Sequence, residues 1–550
     1  MTTTNSFLGF IERSVKQNWD LEALTDYKGQ TLRYRDVAKG IAELHLLFRE
    51  AGIKKGDKIA LCGRNSSNWG MVFLATLTYG TVAVPILHDF KADNIQNIVN
   101  HSDSVMLFVG DNVWENLDEQ QMKALKGIFS VNSLAMLISR DSKLTKAKNN
   151  LGKLFRKAYP KGLSASMIKY HEDMPDELAY ISYTSGTTSF SKGVMLPYRS
   201  LWSNMQFAHD NMGLQPGDRH VCMLPLAHAF GLMFEFLFEF TKGCHTYFLT
   251  RMPSPKIIFQ AYREVRPNLI ITVPLVIEKV IKKNVMPKLE TPKMRMALRV
   301  PIVKDRILAS IRRKIIDLFG GDFIELIVGG APLNEEVERF LRKIKFPYTI
   351  GYGMTECGPL ICYASAATFK QASCGRPVDR LEVKIDSTDP QNVPGEILVR
   401  GDNVTLGYYK SQQSTDNAFT DEGWFRTGDM ALMDKERNIS IKGRCKTMIL
   451  GPSGQNIYPE EIEEKLNNLP YVAECLAVEK GGKIIALIHP DYNEAMTAGL
   501  SNDDIVKQME ENRRTLNGIL PKYSQVAAVK IYPEEFEKTP KRSIKRYLYQ

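Results

Sequence analysis

Tyr183-Thr184-Ser185-Gly186-Thr187-Thr188-Ser189-Phe190-Ser191-Lys192-Gly193-Val194 comes directly after the apolar residues 178–181. Small residues let backbone N–H groups approach an anion closely, hydroxyls donate further hydrogen bonds, and Lys192 supplies a full positive charge. That is the chemistry of a polyphosphate grip and points to a nucleotide enzyme. The same composition also describes a polar surface loop between two periodic segments. A Walker A loop is excluded: that pattern has glycine before the lysine and Ser or Thr after it, where Ser191 and Gly193 stand here.

Working outward, helical and strand segments alternate, as α/β layers require. Residues 36–51 carry apolar positions at helical period, and 58–61 begin a strand. Residues 69–80 read as a helix and 82–87 as a strand, with further strand-like runs at 105–109, 269–273 and 323–328. From Glu396 the texture changes to short strands with turn signals at Gly395, Gly401 and Gly407, a smaller β-rich unit. Beyond Gly443 come a Gly-Pro-Ser-Gly turn at 451–454, a charged helix over 459–467, and strands at 473–478 and 483–488.

A chain of 550 residues with 44% hydrophobic and 24% charged content has the make-up of a globular protein able to bury large cores. The N-terminus lacks a secretory pattern, and the most apolar stretch, 230–240, is interrupted by Glu235 and Glu239; it reads as a buried element rather than a membrane span. Eight cysteines without paired spacing suggest reduced thiols in a cytoplasmic protein; Cys357, Cys362 and Cys374 match no zinc pattern. The net charge of +10 concentrates in residues 143–169 and 279–314. The second run sets Ile302, Ile307, Ile311 and Ile315 among Lys304, Arg306, Arg312, Arg313 and Lys314, a pattern that suits either a solvated face or peripheral contact with an anionic membrane. No aromatic residues interleave with it, which argues against nucleic acid.

Three other segments share the chemical flavour of the loop. Gly329-Gly330-Ala331-Pro332-Leu333 lets a flat base lie against backbone, or is a plain strand-to-helix turn. Gly351-Tyr352-Gly353-Met354-Thr355-Glu356 offers an aromatic face, a hydroxyl and a carboxylate suited to Mg²⁺. Trp424-Phe425-Arg426-Thr427-Gly428-Asp429 places a carboxylate where a ribose diol can donate to it. Each alone is also compatible with a structural role.

Together and in this order they resemble the adenylate-forming superfamily of acyl-CoA synthetases, adenylation domains and luciferases. The resemblance runs from Thr31-Leu32-Arg33-Tyr34 through Gly52-Ile53-Lys54-Lys55-Gly56-Asp57 to the tail. Leu224-Pro225-Leu226-Ala227-His228-Ala229-Phe230 and the stretch from Gly320-Gly321-Asp322 to Leu333 look most like long-chain fatty acyl-CoA synthetases. The resemblance implies an α/β fold: a large N-terminal domain, residues 1–444, of layered α/β subdomains plus a small β-barrel-like unit, and a small mobile α+β C-terminal domain, residues 445–550. It also implies ATP, Mg²⁺ and coenzyme A, with a fatty acid activated as acyl-adenylate and passed to a thiol. Acyl carrier protein as acceptor, or a non-catalytic acyl- or nucleotide-binding protein, are the alternatives.

By this resemblance Thr184, Ser185, Gly186, Thr187, Thr188 and Lys192 hold the β- and γ-phosphates. Thr184 and Glu356 position Mg²⁺, with Thr355 near the α-phosphate. Gly330, Ala331, Pro332 and Tyr352 frame adenine, and Asp429 and Arg444 bind ribose. His228 falls beside the carboxylate and acyl pocket, though a lone histidine on an apolar segment is also an ordinary core residue. A hinge follows Gly443-Arg444, with Thr447 where many members carry aspartate, and Gly454 and Asn456 match the segment lining the pantetheine tunnel. The tail departs from the family: Thr539-Pro540-Lys541-Arg542-Ser543-Ile544-Lys545 puts Ser543 where a lysine is usual. Serine cannot supply an ammonium, so Lys541 or Lys545, each two residues away, is expected to take the role.

Overall fold

The computed structural model describes residues 6–184, 192–250, 254–450, 455–539 and 544–550. Local signals set many of its elements. Ser66 caps the helix Ser67–Tyr79 by accepting from the Trp69 N–H, and Gly80 ends it in a left-handed conformation at φ 86°. The chain then enters the strand Val82–Ile86, buried at every position, as a parallel strand covered on both faces must be.

That strand belongs to an eight-stranded sheet in the order Gly407–Tyr408, Lys192–Pro197, Leu178–Thr184, Val82–Ile86, Lys58–Cys62, Ser104–Val109, Gly127–Ser130 and Met136–Ser139. The strands from Leu178–Thr184 to Gly127–Ser130 are parallel, with antiparallel partners at both ends. A second, four-stranded sheet joins Arg219–Cys222, His245–Phe248, Glu22–Asp26 and Thr31–Arg33. A third, all parallel, joins Ile270–Thr272, Leu326–Val328 and Tyr348–Ile350.

The expected β-rich unit begins earlier than its turn signals, at Leu381. It is an antiparallel sheet of Leu381–Asp386, Gly395–Gly401, Phe425–Met433 and Ile439–Arg444. Among the described residues it stays open: the edge strand Leu381–Asp386 buries only alternate residues and does not pair with Ile439–Arg444. After it, the helices Pro459–Leu466 and Asn502–Ile519 cover a sheet of Val472–Lys480, Lys483–Pro490 and Val526–Ile531, around a separate core that includes Ile462, Leu466, Ile488, Met509 and Leu516.

The run 230–240 is buried, as its apolarity requires, and Glu235 and Glu239 are both 0% exposed within it. All eight cysteines are free thiols. Among the described residues no helix is long and apolar enough to cross a membrane. The isoleucine stripe of the second basic run does not form one outward face. On the helix Pro301–Leu318, Ile315 and Leu308 are buried against the protein's own core, Ile307 and Ile311 are half-buried, and Ile302 alone of the four is exposed.

Candidate active site

The strand Leu178–Thr184 runs antiparallel to Lys192–Pro197 with Thr184 opposite Lys192, so the two ends of the opening loop are held together. Ser185, Gly186, Thr187 and Thr188 lie outside the described residues. Alongside runs Gly407–Tyr408, with Tyr408 opposite Val194. Lys192 Nζ sits over the Tyr408 ring, 4.9 Å from its centroid, and Tyr408 Oη donates to Glu356 Oε1 at 3.0 Å. Burial first, then the neighbouring Glu356 charge, pushes the Tyr408 phenol far above its ordinary range, so its hydroxyl stays a donor.

Glu356 stands on the single turn Thr355–Cys357, almost fully buried, and its backbone carbonyl accepts from Thr405 N at 2.8 Å. Its second carboxylate oxygen accepts no hydrogen bond from the described residues. The expected cation ligands, this carboxylate and the Thr184 hydroxyl, would offer only oxygen donors. That suits Mg²⁺, which takes few protein ligands and completes its shell with water and substrate phosphates. Among the described residues no group of three or more His, Cys, Asp or Glu could hold a metal ion.

A second group forms around Asp429. Tyr352 Oη donates to Asp429 Oδ2 at 2.7 Å, and Arg444 Nε lies 3.2 Å from Asp429 Oδ1. Sheet register enforces the latter contact, because Asp429 and Arg444 are cross-strand partners. Burial raises the Asp429 carboxyl above its ordinary value, and the Arg444 guanidinium opposes that shift. The Arg444 side chain is 70% exposed, which leaves its remaining donors facing solvent. Tyr352 thus offers a polar edge as well as the ring face expected from sequence.

The glycine pair packs against Phe230 through Gly329. The Phe230 ring occupies the place of a side chain at Gly329, where an added Cβ would lie 2.7 Å from Phe230 Cζ, and Gly330 adopts φ 85°. Glycine is required at Gly329 by contact and favoured at Gly330 by conformation. Gly330, Ala331 and Pro332 are exposed. His228 stands at the residue before the short helix Ala229–Leu232, two residues before Phe230, and Asn65 fixes the preceding turn through Leu224 O at 2.7 Å and Leu226 N at 3.0 Å. The histidine segment and the glycine pair therefore meet through Phe230.

The C-terminal part docks beside Pro332. Asn468 Oδ1 accepts from Lys282 Nζ at 2.7 Å and Asn334 Nδ2 at 2.6 Å, and Glu464 accepts from the Glu335 N–H at 3.0 Å. Its tail lysine is engaged within its own unit: Lys545 Nζ pairs with Glu537 at 3.0 Å, and no hydrogen bond or ion pair among the described residues joins it to the groups above. Lys541 and Gly454 lie outside the described residues.

These contacts join Lys192, Tyr408 and Glu356 in one group and Tyr352, Asp429 and Arg444 in another. The sequence model of the family described as "AMP-binding enzyme" matches residues 11–409. The chain belongs to the AMP-binding enzyme family. Its relatives include a long-chain-fatty-acid–CoA ligase of Escherichia coli O157:H7, 28% identical over 86% of this chain and 82% of that protein. Long-chain-fatty-acid–CoA ligase FadD15 of Mycobacterium bovis is 26% identical over 93% and 89%. Among solved structures, ATP-bound MatB from Rhodopseudomonas palustris superposes with a TM-score of 0.75 at 20% identity, covering 98% of this chain and 97% of that one. The o-succinylbenzoate CoA synthetase of Bacillus subtilis, in complex with its acyl-adenylate OSB-AMP, gives 0.74 at 20% over 98% of both chains. This AMP-binding enzyme therefore shares the mixed α/β fold of adenylate-forming enzymes.

Two residues of the AMP-binding enzyme carry no local signal of their contacts. Tyr408 follows the turn glycine Gly407, and its partners Lys192 and Glu356 lie far away in sequence. Glu235 interrupts an apolar run, yet its Oε2 accepts from Met223 N at 3.0 Å and Leu224 N at 2.6 Å and so holds the turn that leads to His228. Nothing local in the sequence announces either contact.

Proposed function

We propose that this protein activates a fatty acid as an acyl-adenylate and transfers it to coenzyme A. The observation that carries the reading is the convergence of Lys192 and Glu356 on Tyr408 at the ends of the opening loop, with the Tyr352–Asp429–Arg444 group beside it. The family membership and the names of its relatives support the same chemistry.

A carboxylate is a poor electrophile without a leaving group. Its oxygen attacks the α-phosphorus of ATP, the bond to the bridging oxygen breaks, and pyrophosphate departs. The thiol sulfur of coenzyme A then attacks the acyl carbon, loses its proton, and AMP leaves. Such chemistry depends on positioning and charge stabilisation more than on acid–base groups. Lys192 and the 184–188 segment hold the terminal phosphates, Gly330, Ala331, Pro332 and Tyr352 bound the adenine, and Asp429 with Arg444 takes the ribose hydroxyls. Thr355 serves the α-phosphate and His228 borders the acyl pocket. Glu356 and Thr184 hold Mg²⁺, which neutralises phosphate charge when bound.

In the same reading residues 1–444 are the adenylating domain and 445–550 a smaller domain that turns about residues 444–447, bringing Gly454 to the thiol or Lys541 or Lys545 to the phosphate. The protein works in the cytoplasm and touches membranes peripherally. Residues 279–314 hold twelve Lys or Arg against two Asp or Glu, a surplus equal to the whole chain's net charge. Met296, Val300 and Ile302 stand at least half exposed among them. Flotation with anionic liposomes reads this contact: a charge-reversed segment that floats like wild type contradicts it. The catalytic reading is tested by a panel of carboxylic acids with ATP, with and without coenzyme A or acyl carrier protein, scored for pyrophosphate and AMP. Turnover with the carrier protein alone would change the acceptor.

A further inference from the structure

Tyr408 touches both charged groups of the site and is itself held from several directions. Its N–H donates to Thr415 Oγ1 at 2.9 Å, and its strand pairs with that of Lys192. Gly407 adopts φ 121°, where an added Cβ would lie 2.5 Å from Thr415 Cγ2, so the chain can reach Tyr408 by this path only with glycine before it. Two residues earlier, Thr405 bonds the Glu356 carbonyl through its N–H and the Met195 carbonyl through its hydroxyl at 2.6 Å. The segment 405–408 is thus clamped at once to the turn that carries Glu356 and to the strand that carries Lys192.

We propose that Tyr408 is a positioning residue for adenylation: its ring seats the Lys192 ammonium and its hydroxyl aims the Glu356 carboxylate. The inference rests on the adenylation reading above. A tyrosine has only two side-chain torsions, so it fixes a spacing at small entropic cost, and the negative face of its ring attracts a cation. The hydroxyl occupies Oε1 of Glu356 and directs the other oxygen away from itself. One side chain then sets the separation between the cation that grips phosphate and the carboxylate that faces the divalent ion. Without it Lys192 loses its seat and Glu356 its orientation, although neither residue is changed.

The test compares Tyr408→Phe and Tyr408→Leu with wild type in the full-length chain, after matched melting curves show that all three fold. Calorimetric titration with ATP, with and without Mg²⁺, reads binding; acid-dependent pyrophosphate release reads kcat and KM. Tyr408→Phe keeps the ring and loses the hydroxyl. It should bind ATP alone like wild type but need about tenfold more Mg²⁺ for half-maximal rate. Tyr408→Leu should in addition bind ATP alone about threefold more weakly. Unchanged Mg²⁺ dependence in Tyr408→Phe, or identical behaviour of the two variants, overturns the inference while leaving the adenylation reading intact. A wild type that neither binds ATP nor releases pyrophosphate overturns both.

Discussion

Thr447 Oγ1 donates to Glu460 Oε1 at 2.6 Å. Thr447 lies at the expected hinge, and Glu460 opens the helix Pro459–Leu466 of the C-terminal part. The contact gives a physical reason for threonine here: an aspartate carboxylate in its place would face that of Glu460 at hydrogen-bond distance. We expect Thr447→Asp to shift the ratio of thioester formation to adenylate formation by about tenfold through this repulsion, with a smaller shift for Thr447→Val. Separate assays of pyrophosphate release and acyl-CoA formation read the ratio; an unchanged ratio in Thr447→Asp removes the contact from any hinge role.

Arg546 anchors the tail. Its guanidinium makes two bonds to Glu463, at 2.6 and 2.7 Å, and one to the Ala477 carbonyl at 3.2 Å, with only 17% of its side chain exposed. Removing one partner of such a pair leaves the other charge buried and uncompensated. Arg546→Ala should destabilise the C-terminal part by about 3 kcal/mol, seen as faster hydrogen exchange in the strand Val472–Lys480. Exchange there at the wild-type rate would show that the tail is held by other contacts.

Asp429 accepts from Tyr352 and faces Arg444, and its proposed role in nucleotide binding can be separated from a role in folding. Asp429→Asn keeps the shape and an acceptor but gives up the charge. The expected outcome is a KM for ATP raised roughly tenfold, with melting little changed because burial already disfavours the ionised carboxyl. A lowered melting temperature with an unaltered KM would make the group structural.

Glu235 supplies a prediction in pH. Burial pushes its carboxyl up to about 8, against the backbone N–H bonds from Leu224 and Met223. A carboxyl with a folded pKa above its unfolded value binds more protons in the folded state. Stability therefore falls as pH rises from the ordinary carboxylate range through about 8. Glu239, raised in the same direction by burial, adds to the trend. Glu235→Gln should flatten the decline, so that its melting temperature gains on wild type steadily between pH 5 and 8. Parallel curves over that range would show that Glu235 does not titrate there.

Local chemistry made much of the fold legible. The helix Ser67–Tyr79 and the strand Val82–Ile86 fall within two residues of their sequence reading, because cap, left-handed glycine and apolar run all act over a few positions. The strand Leu326–Val328 is shorter than 323–328, since Phe323 turns instead into an aromatic group with Phe319 and Phe346. Within the site, Asp429 and Arg444 were each visible as motif residues, whereas the contacts of Tyr408 and Glu235 arise only when distant strands meet. Charge on a buried apolar run is only an interruption until the backbone donors that satisfy it are in view, as Met223 and Leu224 show for Glu235.

Acid-dependent cleavage of ATP to AMP and pyrophosphate, with Lys192 gripping the phosphates, is the proposed reaction. Pyrophosphate release from ATP and Mg²⁺ with a long-chain acid such as palmitate, for wild type and Lys192→Ala, reads it without intermediate steps. The expected result is release that requires the acid, sustained turnover to AMP only when coenzyme A is added, and a rate lowered roughly hundredfold in Lys192→Ala. Pyrophosphate release that ignores the acid, or a Lys192→Ala variant as fast as wild type, would contradict it.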